Sequence, residues 1–244
     1  MENRQLTVEQ FKYMEDKVLE WNTVFGNNLD DGSLISTYVK LCIEEGNEYV
    51  NAPQKAVELF KVKYGRMPSK SEEDQTELLT IGHCECIDAL GDSVFTGFML
   101  NRLKTEDTYD DWFEEFVTSP LIITSFDELV HLLKKGELYT YTTYLTYQLL
   151  EDSERYNIFG AFQRICESNF SKAATKDVDI EKEIAYIESQ GRYVDVFAEE
   201  SGDYIIFKAR KDLVEGNTFE KGKIVKPSTF VSVEDLGGLE EFIY

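Results

Sequence analysis

Two acidic clusters on otherwise apolar, helix-patterned stretches constrain this chain more than anything else in it. Glu44-Glu45-Gly46-Asn47-Glu48 follows Leu34, Ile35, Val39, Leu41 and Ile43, and Glu85-Cys86-Ile87-Asp88-Ala89-Leu90-Gly91-Asp92 sits among Ile81, Val94, Phe95, Phe98 and Met99. Glu44 and Glu48 are four apart, Glu45 and Glu48 three apart, and Glu85, Asp88 and Asp92 follow an i, i+3, i+7 rule, so each set falls on one helical face. On core helices this gathers five or six carboxylates away from bulk water, which is unfavourable unless cations neutralise them or protons stay bound. Little Lys or Arg lies within either cluster to form ion pairs. Hard oxygen donors without a matching His or Cys set point to Mg²⁺ or Mn²⁺ rather than zinc. Either cluster alone reads equally as a solvated acidic face. Two clusters of the same spacing in the same apolar context favour the metal reading.

The rest of the composition bounds the function. The 244 residues, 42% hydrophobic and 13% aromatic, suffice for a substantial core, in one generous domain or two small ones. A formal charge of −22, from 47 acidic and 25 basic residues, argues against binding a nucleic-acid polymer or an anionic membrane. A single nucleotide held through metal stays compatible with it. Cys42, Cys84, Cys86 and Cys166 are scattered through helix-patterned segments, with no signal peptide and no long apolar run, so a cytoplasmic protein with reduced thiols is expected. Cys84 and Cys86 form CxC rather than CxxC, which gives zinc little support, and His83 reads either as an outer partner of the second cluster or as an ordinary helix residue.

Periodicity and punctuation predict a mainly α chain. Thr7 with Glu9 and Gln10 opens an amphipathic helix carrying Phe11, Met14, Val18, Leu19 and Trp21, which ends near Gly26. A second helix over about 33–51 stops before Pro53, a third covers about 54–64, and Ser69 to Asp74 caps a long helix over about 73–104. Gly82, Gly91 and Gly97 inside that helix suggest close packing or ligand approach. Helices follow at about 109–117, 125–135, 137–151 and 153–168. The run Tyr139-Thr140-Tyr141-Thr142-Thr143-Tyr144 reads as helix packing or as a base-stacking surface that lacks interleaved basic residues. Val194 to Phe197 and Tyr204 to Lys208 alternate around Glu200-Ser201-Gly202-Asp203, a hairpin pattern. Residues 1–104 thus read as a helical metal-binding core, 105–155 as a helical insertion, and 156–244 as a last core helix with a β-containing extension.

Glu44-Glu45-Gly46-Asn47-Glu48 followed by Glu85-Cys86-Ile87-Asp88 resembles the EExxE and ExxD pair of the all-α nucleoside triphosphate pyrophosphohydrolases, the MazG-like superfamily that includes dimeric dUTPases and phosphoribosyl-ATP pyrophosphohydrolase. Trp21 to Gly26, Ser168-Asn169-Phe170-Ser171-Lys172 and Gly222 to Phe230 resemble framing segments of phage-encoded members, in the same order. The likeness covers about 10–104 and 160–236, and the separation of the two acidic elements is longer than usual in the family.

The resemblance implies an all-α bundle, here with a small C-terminal β-hairpin, that hydrolyses a nucleoside triphosphate between the α and β phosphates to monophosphate and pyrophosphate. It implies Mg²⁺ or Mn²⁺ held by Glu45, Glu48, Glu85, Asp88 and Asp92, with Glu44 as the base that positions or deprotonates water. Lys172, Lys223 and Lys226, in the family-like segments, are the implied phosphate contacts, each reading equally as a solvated surface lysine; from position alone, Asn101 and Arg102 past the second cluster are further candidate substrate contacts, and Trp21 lies either near the base or in packing. A homo-oligomer, most simply a dimer, goes with it. Phosphoribosyl-ATP hydrolysis is an alternative activity on the same metal logic. A non-catalytic nucleotide-binding or acidic interaction protein is the alternative from another class.

Overall fold

The structure is a computed structural model that describes residues 6–104, 126–135 and 138–244. The chain divides into two compact units. The helical unit comprises Met1–Leu19, Leu29–Ile165 and Gly238–Tyr244, and the sheet unit comprises Glu20–Asn28 and Cys166–Gly237. Among the described residues the chain is mainly α, with seven α-helices and one four-stranded antiparallel sheet. No helix among them is long and apolar enough to cross a membrane.

Helix α1 (Val8–Val24) begins as its sequence dictates. Thr7 Oγ1 accepts from the Gln10 N–H at 3.3 Å while the Thr7 N–H donates to Gln10 Oε1 at 2.9 Å, a reciprocal capping box. Phe11, Met14 and Val18 from its inner face are fully buried in the helical unit.

The centre of that unit is the hairpin of α2 (Ile35–Tyr64) and α3 (Glu72–Lys104). Two separate helices before and after Pro53 were expected, but one helix runs through. Proline removes a single backbone donor and disturbs the preceding turn. Tyr38, Cys42, Gly46, Ala52, Ala56 and Phe60 nevertheless form one continuous buried face across that position, so packing holds the two halves in one helix. The hairpin turn is heavily built. Gly65, at φ +65°, closes α2 with its N–H on the Lys61 carbonyl at 2.8 Å. Ser71 Oγ accepts the Asp74 N–H to start α3, and Arg66 forms a bidentate pair with Asp74 at 2.5 and 2.7 Å. That pair and the Ser69 N–H hold the Asp74 carboxyl well below the usual carboxylate range.

Helices α4 (Phe126–Lys135), α5 (Leu138–Asp152) and α6 (Ile158–Phe170) follow. The helix expected over 109–117 falls outside the described residues, as do the side chains of 138–143; Tyr144 from the tyrosine-rich run is buried. Helix α6 starts later than the 153–168 expected, because Asn157 caps it through its side chain on the Gly160 N–H. Phe162 stacks on Phe95 of α3 at 5.3 Å between centroids. The C-terminus returns to this unit, with a bridge between Tyr156 and Ile243 and with Arg164 over the Phe242 ring.

The sheet unit exceeds the hairpin appendage expected. Strands β2 (Tyr193–Ser201) and β3 (Tyr204–Asp212) form that hairpin, turning at Gly202 with φ +56°. The opposite edge of β3 is shared end to end, by β1 (Ala173–Thr175) against 204–206 and by β4 (Asn217–Ile224) against 208–212. Helix α7 (Ile180–Ser189), capped by Asp179, covers the sheet. Ile187 packs with Ala174, Val196, Ile205, Phe207, Ala209 and Val225 in a core of the unit's own.

Candidate functional site: facing acidic helices and a basic cavity

Ion pairs set the register of the α2/α3 hairpin. From the turn outward, Arg66 in the turn meets Asp74 at 2.5 Å, and then Lys63 meets Glu77 and Lys55 meets Glu85, both at 2.6 Å, with the cation on α2 and the acid on α3. Beyond Lys55 the pattern changes. There α2 presents Glu48, Glu45 and Glu44, and α3 presents Asp88 and Asp92, so acid faces acid across the helix pair. Burial, then the charges of Asp92, Glu48, Glu44 and Asp88, push the Glu45 carboxyl up to about 9. Glu45 therefore carries a proton at neutral pH when nothing else supplies positive charge. Five of the six carboxylates, Glu44, Glu45, Glu48, Asp88 and Asp92, thus act on one another, while Glu85 is paired with Lys55.

Two expectations need correction. The carboxylates do not occupy the most buried positions: Glu44 and Glu48 are exposed and Glu45, Glu85, Asp88 and Asp92 half-buried, while Cys42, Gly46, Ile87, Ala89, Leu90 and Gly91 form the dry interior beside them. The side chains are long enough to reach the rim of the packed face and keep contact with water. The clusters are also not without a cation. Lys55, two helical turns past Glu48, reaches both Glu85 and Glu48, the latter at 3.7 Å. Its amine is held charged against partial burial by Glu85, Glu48 and Asp88.

The donor chemistry suits a hard divalent cation, being all oxygen with a surplus of negative charge. As the side chains stand, no three His, Cys, Asp or Glu groups among the described residues are arranged to hold a metal ion. Zinc has no support from the neighbours. Burial pushes the Cys84 and Cys86 thiols up to about 11, away from the thiolate that metal binding needs. His83 is engaged elsewhere, its Nδ1 at 2.7 Å from the Tyr156 hydroxyl. Gly91 has a packing role: a Cβ there would lie 2.2 Å from Ile165 Cδ1. Gly82 is roomier, with Ala56 Cβ at 3.6 Å from that position.

Comparison with known proteins adds nothing to this geometry. No protein-family model, curated protein or solved structure matches the chain.

The predicted substrate contacts divide between the units. Asn101 is buried in the helical unit, and Arg102 pairs there with Asp30 at 3.4 Å. Lys172, Lys223 and Lys226 all belong to the sheet unit, where with Arg192 they line one cavity of about 590 Å³. The three framing segments converge on it. Trp21 Nε1–H donates to the Asn169 carbonyl at 3.2 Å, and Ser171 Oγ accepts the Val231 N–H at 2.9 Å. Glu183, buried on α7, takes both the backbone N–H and the hydroxyl of Ser228, pinning the loop after β4. Gly222, at φ +81°, sits in an irregular stretch of β4 where a Cβ would lie 2.7 Å from the Phe197 ring, and it leads directly into Lys223 at the cavity wall. Arg192 escaped sequence reasoning. Its signal was faint, a lone cation just before a strand, and only the fold sets it beside residues from both ends of the chain.

Proposed function

We propose that this chain is a Mg²⁺- or Mn²⁺-dependent nucleoside triphosphate pyrophosphohydrolase related to the all-α, MazG-like enzymes its acidic motifs resemble. The observation that carries the reading is the acid-on-acid face of α2 and α3, where burial and the charges of Asp92, Glu48, Glu44 and Asp88 push the Glu45 carboxyl up. A structural hairpin would extend its cation-to-acid pairing along its length, as the Arg66, Lys63 and Lys55 pairs do nearer the turn. A face of carboxylates instead matches a divalent cation and the phosphates it escorts.

In this reading Glu45, Glu48, Glu85, Asp88 and Asp92 would hold the metal, and Glu45 would lose its proton on binding it. The chemistry a bound Mg²⁺ would supply there is neutralisation of phosphate charge and a lowered pKa for water. Glu44, exposed at the edge of the cluster, accepts the proton of the water that attacks the α-phosphorus, and the bond to the β-phosphate oxygen breaks to release pyrophosphate. Lys55 provides the countercharge that Glu48 and Glu85 have without metal. The homodimer that accompanies this reading would find apolar surface at the far end of the hairpin, where Val62, Met67 and Leu79 are exposed.

The test is a screen of the common ribo- and deoxyribonucleoside triphosphates for metal-dependent pyrophosphate release, with Glu48→Gln and Asp88→Asn as controls. At least one triphosphate is expected to turn over, with each substitution reducing kcat/KM by about 100-fold or more, roughly 2.7 kcal/mol of transition-state stabilisation, while the protein stays folded. Silence with every triphosphate and both metals would leave a binding protein in its place.

A further inference from the structure

The cavity of the sheet unit has the composition of a ligand site in its own right. Four cations line it, Lys172, Arg192, Lys223 and Lys226, in a chain whose net charge is −22; among the described residues no Asp or Glu is in the lining itself, and behind it Asp212 and Glu215 pair with Arg192 and lie 3.9 Å from the Lys223 amine. Aromatic rings share the wall with these cations: Trp21, Tyr186, Tyr193 and Phe230. Its volume of about 590 Å³ falls within the range typical of small-molecule pockets, about 300–1,000 Å³.

The wall is built rather than incidental. Asp212, whose side chain is fully buried, holds the Arg192 guanidinium at 2.9 Å and is itself fixed by the N–H groups of Val214 and Glu215. Arg192 lies 5.0 Å from the centre of the Tyr193 ring, and the Lys226 amine lies 4.2 Å over that of Phe230. Lys172 is oriented by a hydrogen bond from its amine to Asn169 Oδ1. The loops that bring these groups in are stitched by the Ser171–Val231 and Glu183–Ser228 hydrogen bonds. Orienting long cationic side chains before a ligand arrives lowers the entropy lost on binding.

Cations select an anion, and a ring beside them selects a planar group attached to it, Tyr186 being the exposed ring of the four. The absence of a carboxylate in the wall bears on how many phosphates that anion carries. A triphosphate normally travels with Mg²⁺ and is met by carboxylates that share the ion, whereas a phosphate monoester of charge about −1.5 to −2 binds to cations directly. We infer that this cavity binds a nucleoside monophosphate without metal, the phosphate on the lysines and Arg192 and the base against the rings. The same class of compound is the product of the proposed reaction, but the inference stands on the cavity alone and goes beyond that reading.

Calorimetric titration of the full chain in excess EDTA, with the 5′-monophosphates of adenosine, guanosine, cytidine and uridine, tests it. Each is compared with its nucleoside and with ribose 5-phosphate. At least one monophosphate is expected to bind about 10-fold or more tightly than both its nucleoside and ribose 5-phosphate, since each fragment lacks half of the recognised chemistry. Lys226→Ala and Tyr186→Ala change exposed side chains and leave the fold intact, and each is expected to weaken binding about 10-fold. No binding by any of the four, equal binding of the nucleoside, binding only when divalent metal is restored, or unchanged affinity in both variants would each overturn the proposal. Because EDTA removes the metal on which turnover depends, loss of turnover with monophosphate binding intact counts against the proposed enzyme alone. The reverse result counts against this cavity alone.

Discussion

Glu45 is the residue on which the electrostatics of the helical unit turn. Its carboxyl is pushed up to about 9, by burial first and by four neighbouring acids after that, against 4.5 for an ordinary glutamate. A group whose folded pKa is raised contributes stability that is fully present below its unfolded pKa and is lost as pH rises through the folded value. Metal-free protein should therefore lose stability progressively between about pH 4.5 and 9 through this group. Glu45→Gln keeps the shape and removes the charge. Urea unfolding in EDTA at about pH 8 should show the variant more stable by about 1–3 kcal/mol, with a flatter pH profile than the parent over that interval. Parallel profiles for the two proteins would mean that Glu45 ionises freely and that the acids do not crowd it. The spacing of the carboxylates was legible in the sequence because i, i+3 and i+4 relations are local. Lys55 was not, because its partnership with Glu85 depends on how two helices register across a turn.

At the scale of elements, the glycines of α3 separate a packing role from mere tolerance. Gly91→Ala should destabilise the protein by about 1–3 kcal/mol, because the new methyl collides with Ile165, which is itself buried. Gly82→Ala meets only ordinary contact with Ala56 and should be neutral or stabilising by up to about 1 kcal/mol through helix propensity. Thermal unfolding of the two variants side by side checks this, and equal shifts would show that the helices part to admit a side chain at 91. The same scale shows where sequence reading stops. The capping box at Thr7, the Ser71 start of α3 and the turn at Gly202 follow from a few adjacent residues. The passage of α2 through Pro53 does not, since a tertiary face outweighs the local breaker. Strands β1 and β4 are short or irregular and gain their identity only by sharing one edge of β3, and α7 gives too brief a periodic pattern to stand out.

At the scale of the whole molecule, the chain concentrates opposite charges in separate units. A surplus of acid faces the α2/α3 rim of the helical unit, and a basic, ring-lined cavity lies in the sheet unit. The sequence announced both sets of residues, the carboxylates by periodicity and the lysines by standing out from an acidic background. It did not announce that they belong to different units, because Trp21 and Asn169 are 148 positions apart and meet only on folding. The central claim is that the acidic face is a divalent-cation site held ready by a protonated glutamate. Calorimetric titration of the full chain with Mn²⁺ at about pH 8, in two buffers of different ionisation enthalpy, tests it most directly. Saturable binding is expected, with release of about one proton per chain that vanishes in Glu45→Gln. Absence of saturable binding, or binding whose proton release is zero in the parent protein, would contradict it.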